Sequence, residues 1–152
     1  MKKFLILLFL FIVLLLSPQG VLARTKVTKF IQVTDVHYVV QNERANEYLK
    51  ALANDINRIR DIDFVVFTGD NIDSPSAENL HGFLRATKKI NVPCYFVIGN
   101  HDVSTNAKMD KDKYLDVIRY HNWFYPAWKP NYKFEKKGMV FVLVDGAKQI
   151  IP

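Results

Sequence analysis

The sequence predicts an α/β domain built around a parallel β-sheet. Three short apolar runs, at 30–34, 64–68 and 94–98, have the length and composition of buried strands. A segment with helical periodicity lies between each run and the next. Parallel strands need long crossover connections, so this alternating order of strands and helices favours a parallel sheet with right-handed crossovers.

Two amphipathic segments are predicted to form the crossovers. Residues 42–60 carry one apolar stripe at helical spacing. The second helix is predicted to start at Ser74-Pro75, a capping residue followed by proline in the first turn, and to run to about Lys89. Its predicted inner face consists of Leu80, Phe83, Leu84 and Ala86.

The last third of the chain is less regular. Residues 104–113 are predicted to form a polar loop that leads into a helix, and residues 140–144 are predicted to form another strand. A group of aromatic side chains lies between these elements, and we expect it to pack over the edge of the core, with stacking on a substrate ring as the alternative. Its members are Trp123, Phe124, Tyr125 and Trp128.

Polar residues follow each predicted strand of the sheet. The three motifs are Asp35-Val36-His37, Gly69-Asp70-Asn71-Ile72-Asp73 and Gly99-Asn100-His101-Asp102. Parallel sheets bind ligands at the carboxyl ends of their strands, and carboxylate, imidazole and amide groups are accepted by divalent metals. An extended backbone would point the first Asp and His the same way, and the glycines permit sharp turns. Together the motifs predict one metal site.

The three motifs resemble the first three motifs of the calcineurin-like metallophosphoesterases. The similarity covers about Val27 to Asp145 and is specific to the superfamily rather than to a substrate. It implies the N-terminal half of a four-layer αββα sandwich, with mixed sheets flanked by helices. It also implies two divalent metal ions, of manganese, iron or zinc, and hydrolysis of phosphate mono- or diesters by a metal-bound hydroxide.

The resemblance implies a role for each residue at a position that matches one of the family's motifs. Asp35 and His37 would bind the first metal, Asp70 would bridge both metals, and Asn100 would bind the second through its amide oxygen. His101 would face the substrate phosphate and help to protonate the leaving oxygen. Asp102 would orient His101, as a carboxylate beside an imidazole does. Asp73 would support the site without binding metal.

The resemblance also implies later ligands that this sequence lacks, namely a lone histidine and a Gly-His-x-His motif. The two other histidines, His81 and His121, are predicted to rest on helix surfaces rather than to bind metal. We therefore expect residues 24–152 to be a phosphoesterase domain truncated at its C-terminus and inactive or nearly inactive alone.

The N-terminus has the layout of a secretory signal peptide. A basic start is followed by an apolar run at 4–16 and by small residues, so residues 1–23 are predicted to be cleaved. We expect a secreted or periplasmic protein without stable membrane insertion. The alternative is an uncleaved leader that anchors the domain to the membrane, although the run is shorter than the ~20 residues of a typical span.

The charge of the chain limits the classes of partner that it is expected to bind, and its cysteine content limits its disulfides. The formal charge of +6 includes two lysines of the leader, and the remaining basic residues are scattered. This pattern favours a solvated surface over nucleic-acid binding, and we expect a small phosphate ester as the partner. The single cysteine, Cys94, excludes an intramolecular disulfide.

Two other interpretations remain open on the sequence alone. A non-catalytic binding module would keep the fold and lose the metal site, although each of the three motifs retains workable ligands. A small α/β domain with coincidental motifs is the other alternative. The sequence leaves the substrate, the metal identity and the oligomeric state undetermined.

Overall fold

A computed structural model describes residues 27–104, 106, 109–122 and 125–147. The predicted signal peptide and two members of the aromatic group, Trp123 and Phe124, lie outside the described residues. Among the helices that are described, none is long and apolar enough to cross a membrane.

The predicted parallel sheet is confirmed. Its strands are β1 (Phe30–Val33), β2 (Phe64–Phe67) and β3 (Cys94–Phe96), in the order β1-β2-β3. Both neighbouring pairs run parallel, with Val33 opposite Phe67 and Phe67 opposite Phe96. The three strands therefore end at the same edge of the sheet, and each polar motif begins there.

Three helices follow the strands, close to the predicted positions. They are α1 (Glu43–Arg58), α2 (Ala77–Thr87) and α3 (Lys111–His121). Asn42 caps α1 by accepting a hydrogen bond from the Ala45 amide, and Asp110 caps α3 in the same way. Each helix shows the amphipathic pattern of its sequence.

The predicted start of α2 at Ser74-Pro75 was wrong by two residues. Ser76 is the capping residue and accepts a hydrogen bond from the Asn79 amide. Ser74 instead accepts hydrogen bonds from the side-chain amide of Asn79. The chain offers two serines around one proline, and the geometry of the loop decides which of them caps the helix.

The two faces of the parallel sheet pack against different layers. On one face, Phe67 and Phe96 contact Phe83 of α2, with ring centroids 5.2 and 5.8 Å apart. On the other face, Phe64 contacts Phe141, with ring centroids 4.9 Å apart. The order of layers is therefore helices, parallel sheet and a β-hairpin, which matches the N-terminal half of a metallophosphoesterase fold.

The hairpin consists of β4 (Tyr132–Lys136) and β5 (Met139–Leu143). Only β5 was predicted, one residue later than observed, because the charged residues of β4 obscure its alternating pattern. The Lys137-Gly138 turn has positive φ values of 52° and 82°, the conformation that favours tight hairpins. A glycine between two alternating segments was the signal that could have revealed β4.

The aromatic group is divided between the core and the surface. Tyr125 is buried and its hydroxyl lies 2.9 Å from the Phe96 amide nitrogen, so packing over the edge of the core is confirmed for this residue. Trp128 is 77% exposed and lies beneath the guanidinium of Arg119.

Candidate metal centre

Donor atoms from the first two motifs converge at the edge of the sheet. Asp35, His37 and Asp70 each offer one ligand atom within 4.8 Å of the others. His37 Nε2 lies 3.9 Å from Asp35 Oδ1 and 4.0 Å from Asp70 Oδ2. Two donors about 2.1 Å from one ion lie at most about 4.2 Å apart. Both distances to His37 lie within this limit, so His37 could share one ion with either carboxylate.

The backbone reaches this arrangement through an uncommon conformation. Asp35, His37 and Asp70 have positive φ values of 53°, 46° and 49°. Non-glycine residues seldom adopt such values, and those that do cluster at functional sites. The expectation that an extended backbone aligns Asp35 with His37 was wrong, because both residues lie in left-handed turns.

Backbone hydrogen bonds hold the first motif against the second. The Asp35 amide donates to the Gly69 carbonyl over 3.2 Å, and the His37 amide donates to the Asp70 carbonyl over 3.0 Å. A parallel bridge between Tyr38 and Ile72 continues this pairing beyond the sheet. The ligand side chains are therefore fixed relative to one another by main-chain contacts.

The third motif approaches the second at Gly99. A Cβ atom on Gly99 would lie 2.1 Å from the Asp70 nitrogen and 2.2 Å from Asp70 Oδ1. The His101 amide donates to the same Asp70 Oδ1 over 3.0 Å. Asn100, the predicted amide ligand, is exposed in the turn between these two residues. The absence of a side chain at Gly99 allows the two motifs to meet.

His101 is held by the second motif. Its Nδ1 lies 2.8 Å from the Asp73 carbonyl oxygen, which can only accept, so Nδ1 carries a proton and Nε2 is left for another partner. That hydrogen bond raises the pKa of His101, and the charges of Asp70, Asp73 and Asp102 add to the effect. The His101 ring is exposed and lies edge-on to His37, with centroids 4.7 Å apart.

Asp73 contributes more to the site than the sequence indicated. Its carboxylate oxygen lies 3.5 Å from His37 Nδ1. Together with His37 and His101 it forms a second group whose ligand atoms all lie within 4.8 Å of one another. The predicted supporting role is compatible with these contacts, and they place Asp73 between the two histidines.

The hydrogen bonds of Asp102 within the described residues go to groups other than His101, so its predicted role in orienting His101 stays a prediction. Asp102 is fully buried and accepts hydrogen bonds from the backbone amides of Asn71, Ile72 and Gly99, at 2.8, 3.0 and 2.7 Å. Burial raises the pKa of Asp102 to about 6, while these hydrogen bonds act in the opposite direction. The carboxylate joins the second motif to the third and is a positioning residue.

Asn71 and Tyr114 extend this buried network, and neither was predicted from the sequence to take part in it. The side-chain nitrogen of Asn71, Nδ2, lies 3.0 Å from each of Asp102 Oδ2, the Val97 carbonyl oxygen and the Tyr114 hydroxyl. Tyr114 is a fully buried residue of α3. Tyr114 lies among apolar residues in the sequence, so its neighbours carry no signal of a polar contact.

Comparison with known proteins identifies the family. Residues 28–148 match the calcineurin-like phosphoesterase family. The chain belongs to this family. A curated relative from Arcobacter nitrofigilis, named as a probable glycerophosphodiester phosphodiesterase, is 34% identical over 91 residues. The aligned region covers 55% of this chain and 33% of the relative, so this phosphoesterase-family chain spans about a third of that protein.

Proposed function

We propose that the protein represented by this chain hydrolyses phosphate esters at a centre of two divalent metal ions. Asp35, His37, Asp70 and Asn100 are the proposed ligands, and phosphodiesters are the first substrates to test because the relative is named for one. The convergence of the Asp35, His37 and Asp70 donor atoms within 4.8 Å carries the proposal, since family membership alone does not require intact ligands.

The chain's own residues have separate tasks in this proposal. Asp35 and His37 would hold one ion, Asn100 would contribute its amide oxygen to the other, and Asp70 would contribute to both. When bound, such a pair of ions supplies an activated water and positive charge for the phosphate oxygens. Fixed charge at these oxygens is usually the largest contribution to catalysis.

His101 is proposed to donate the proton that the leaving oxygen takes up. Its Nδ1 proton is committed to the Asp73 carbonyl, so Nε2 is the atom available to donate to the leaving oxygen. A raised pKa keeps a larger share of the ring protonated near neutral pH, as a general acid requires. Asp73 sets the ring orientation and Asp102 sets the position of the loop.

We also propose that the chain alone is inactive or nearly so. The second metal would be held by Asp70 and Asn100, one carboxylate and one neutral amide, which is a weak donor set for a divalent ion. His81 and His121 belong to neither of the candidate ligand groups found among the described residues.

A phosphodiesterase assay tests the proposal. The purified chain and a version extended downstream are compared with a chromogenic phosphodiester and Mn²⁺. We expect turnover from the extended version only, abolished by Asp70→Asn and retained by Asp55→Asn, a matched change at an exposed carboxylate of α1. Metal content measured on the same samples should follow the same order.

Two results would contradict these proposals. Robust turnover by the chain alone that disappears in Asp70→Asn would disprove its predicted inactivity. An extended version that binds no metal and shows no turnover would favour the non-catalytic binding module.

A further inference from the structure

The tertiary structure brings together two histidines that the sequence separates by 40 positions. His81 lies in the first half of α2 and His121 is the last residue of α3. His81 Nδ1 lies 2.7 Å from His121 Nε2, and both side chains are half-buried. Each had been expected to rest alone on a helix surface.

The packing of both helices holds these rings in place. Leu80, next to His81, and Ile118, one turn before His121, are completely buried in the shared core. The Tyr120 ring packs edge-on against both imidazoles, with centroids 5.7 and 5.4 Å away. The two nitrogens are therefore brought together by the fold.

We propose that His81 Nδ1 and His121 Nε2 are adjacent ligands of one transition-metal ion, which joins α2 to α3. Imidazole nitrogens suit copper, nickel and zinc. Two nitrogens about 2.0–2.1 Å from an ion are about 2.9 Å apart at a right angle and about 3.3 Å apart at a tetrahedral angle. The observed 2.7 Å is a hydrogen-bond distance and is shorter than either value, so the two nitrogens would have to move slightly apart. Cu²⁺ is the probe for this site, because imidazole is among its preferred ligands.

Binding requires both rings to turn from the observed arrangement. The ring centroids are 5.0 Å apart, so the rings meet end to end and share a proton. An ion would take the place of that proton, the donor ring would carry its proton on its other nitrogen instead, and each ring would tilt so that both lone pairs converge on the ion. Side chains that are only half-buried have room for this movement, and water completes the coordination.

The charges around the pair set the conditions for binding. Burial lowers the pKa of His121, and His81, Lys88 at the C-cap of α2 and Arg85 on α2 lower it further. Lys113, Asp116 and Tyr120 of α3 line the same surface depression. The neighbouring cations weaken attraction for a metal ion, but they also keep the imidazole neutral, which is the form that coordinates.

Copper EPR of the purified chain tests this site. At substoichiometric Cu²⁺ and pH 8, we expect a spectrum with two equatorial nitrogens. His81→Gln and His121→Gln should each remove one nitrogen. Loss of a residue that only hydrogen-bonds to a metal ligand costs roughly 10–100-fold in metal affinity. Loss of a ligand itself should therefore cost at least about that. Metal-free melting curves verify that both variants fold.

His37→Gln is the matched control, because it changes a histidine of the candidate metal centre instead. The two-nitrogen spectrum should survive in this variant, whatever the outcome of the phosphodiesterase assay. The proposal is overturned if the wild-type spectrum shows a single nitrogen, if the spectrum is unchanged in both helix variants, or if His37→Gln abolishes it.

Discussion

At the scale of single residues, the candidate centre depends on backbone positions as much as on ligands. Asp35, His37 and Asp70 all have positive φ values, and Gly99 lies where a Cβ would overlap Asp70. A left-handed turn orients each candidate ligand side chain. The absence of a side chain at Gly99 allows the third motif to approach Asp70. A change that adds a single methyl group should therefore disturb the site.

Gly99→Ala is expected to destabilise the protein and to displace Asp70. The new Cβ would meet backbone and carboxylate atoms at 2.1–2.2 Å. Overpacking of this kind costs about 1–3 kcal/mol in unfolding free energy. Urea unfolding measures the loss. Gly146→Ala is the control, since a Cβ there meets nothing within 4 Å, and equal stability of the two variants would contradict the prediction.

Asp102→Asn is expected to destabilise the junction of the second and third motifs. The substitution presents an N–H donor to backbone N–H groups that need an acceptor. Loss of a hydrogen bond to a charged group costs about 1.5–3 kcal/mol, so urea unfolding should show a loss of at least this size. Asp55→Asn, at an exposed position, should stay within about 0.5 kcal/mol of wild type. Similar losses in both variants would show that the buried network has no special role.

At the scale of elements, the contact between α2 and α3 contains a titratable pair. His81 and His121 share a hydrogen bond that needs at least one neutral ring. Burial, His81, Lys88 and Arg85 lower the pKa of His121 below its usual 6.5. The folded chain therefore binds a proton there less readily than the unfolded chain, and the contact should weaken in acid.

The expected pH dependence follows from linkage. Where the unfolded state binds more protons, stability rises with pH, so the contribution of His121 should fall as pH drops from about 6.5 through the lowered folded pKa. Lys113, Asp116 and Tyr120 line the same surface in wild type and variant. Asp102, with its pKa of about 6, is also common to both proteins, so its effect cancels in the difference.

Urea midpoints between pH 5 and 8 measure this contribution. In His121→Gln the midpoint should fall less steeply toward pH 5 than in wild type. His81→Gln should behave similarly, since it removes the same contact. An unchanged slope in both variants would rule out the pair as a source of acid sensitivity.

At the scale of the whole molecule, the hairpin leaves an apolar stripe exposed. Val140, Val142 and Val144 are 61–67% exposed, while Phe141 faces the Phe64 ring of the parallel sheet. Contiguous apolar surface of this kind promotes association. We therefore expect poor solubility and self-association of the chain alone.

A double substitution, Val140→Thr with Val142→Thr, should shift the chain toward monomer in sedimentation velocity. Threonine keeps the branched shape that strands favour and replaces a methyl group with a hydroxyl. Val27→Thr is the control, because Val27 is 62% exposed but lies outside β5. Monodisperse wild-type protein would contradict the expectation.

The family and the parallel pairing of the strands were predictable from the sequence, because both depend on local patterns. Apolar runs of strand length, helical spacing between them and polar residues at each strand end are all visible in the linear chain. The capping residue of α2 and the strand β4 were harder to predict. Two serines flank one proline at the start of α2, and the charged residues of β4 obscure its alternating pattern.

The sequence by itself determined which candidate ligand types this chain carries, on how many motifs, and that each motif follows a strand of a parallel sheet. Only the tertiary structure decided that Asp35 and His37 meet through left-handed turns, that Asp102 joins two loops, and that His81 reaches His121. Those contacts depend on how distant segments pack, and packing distances are not encoded in local spacing.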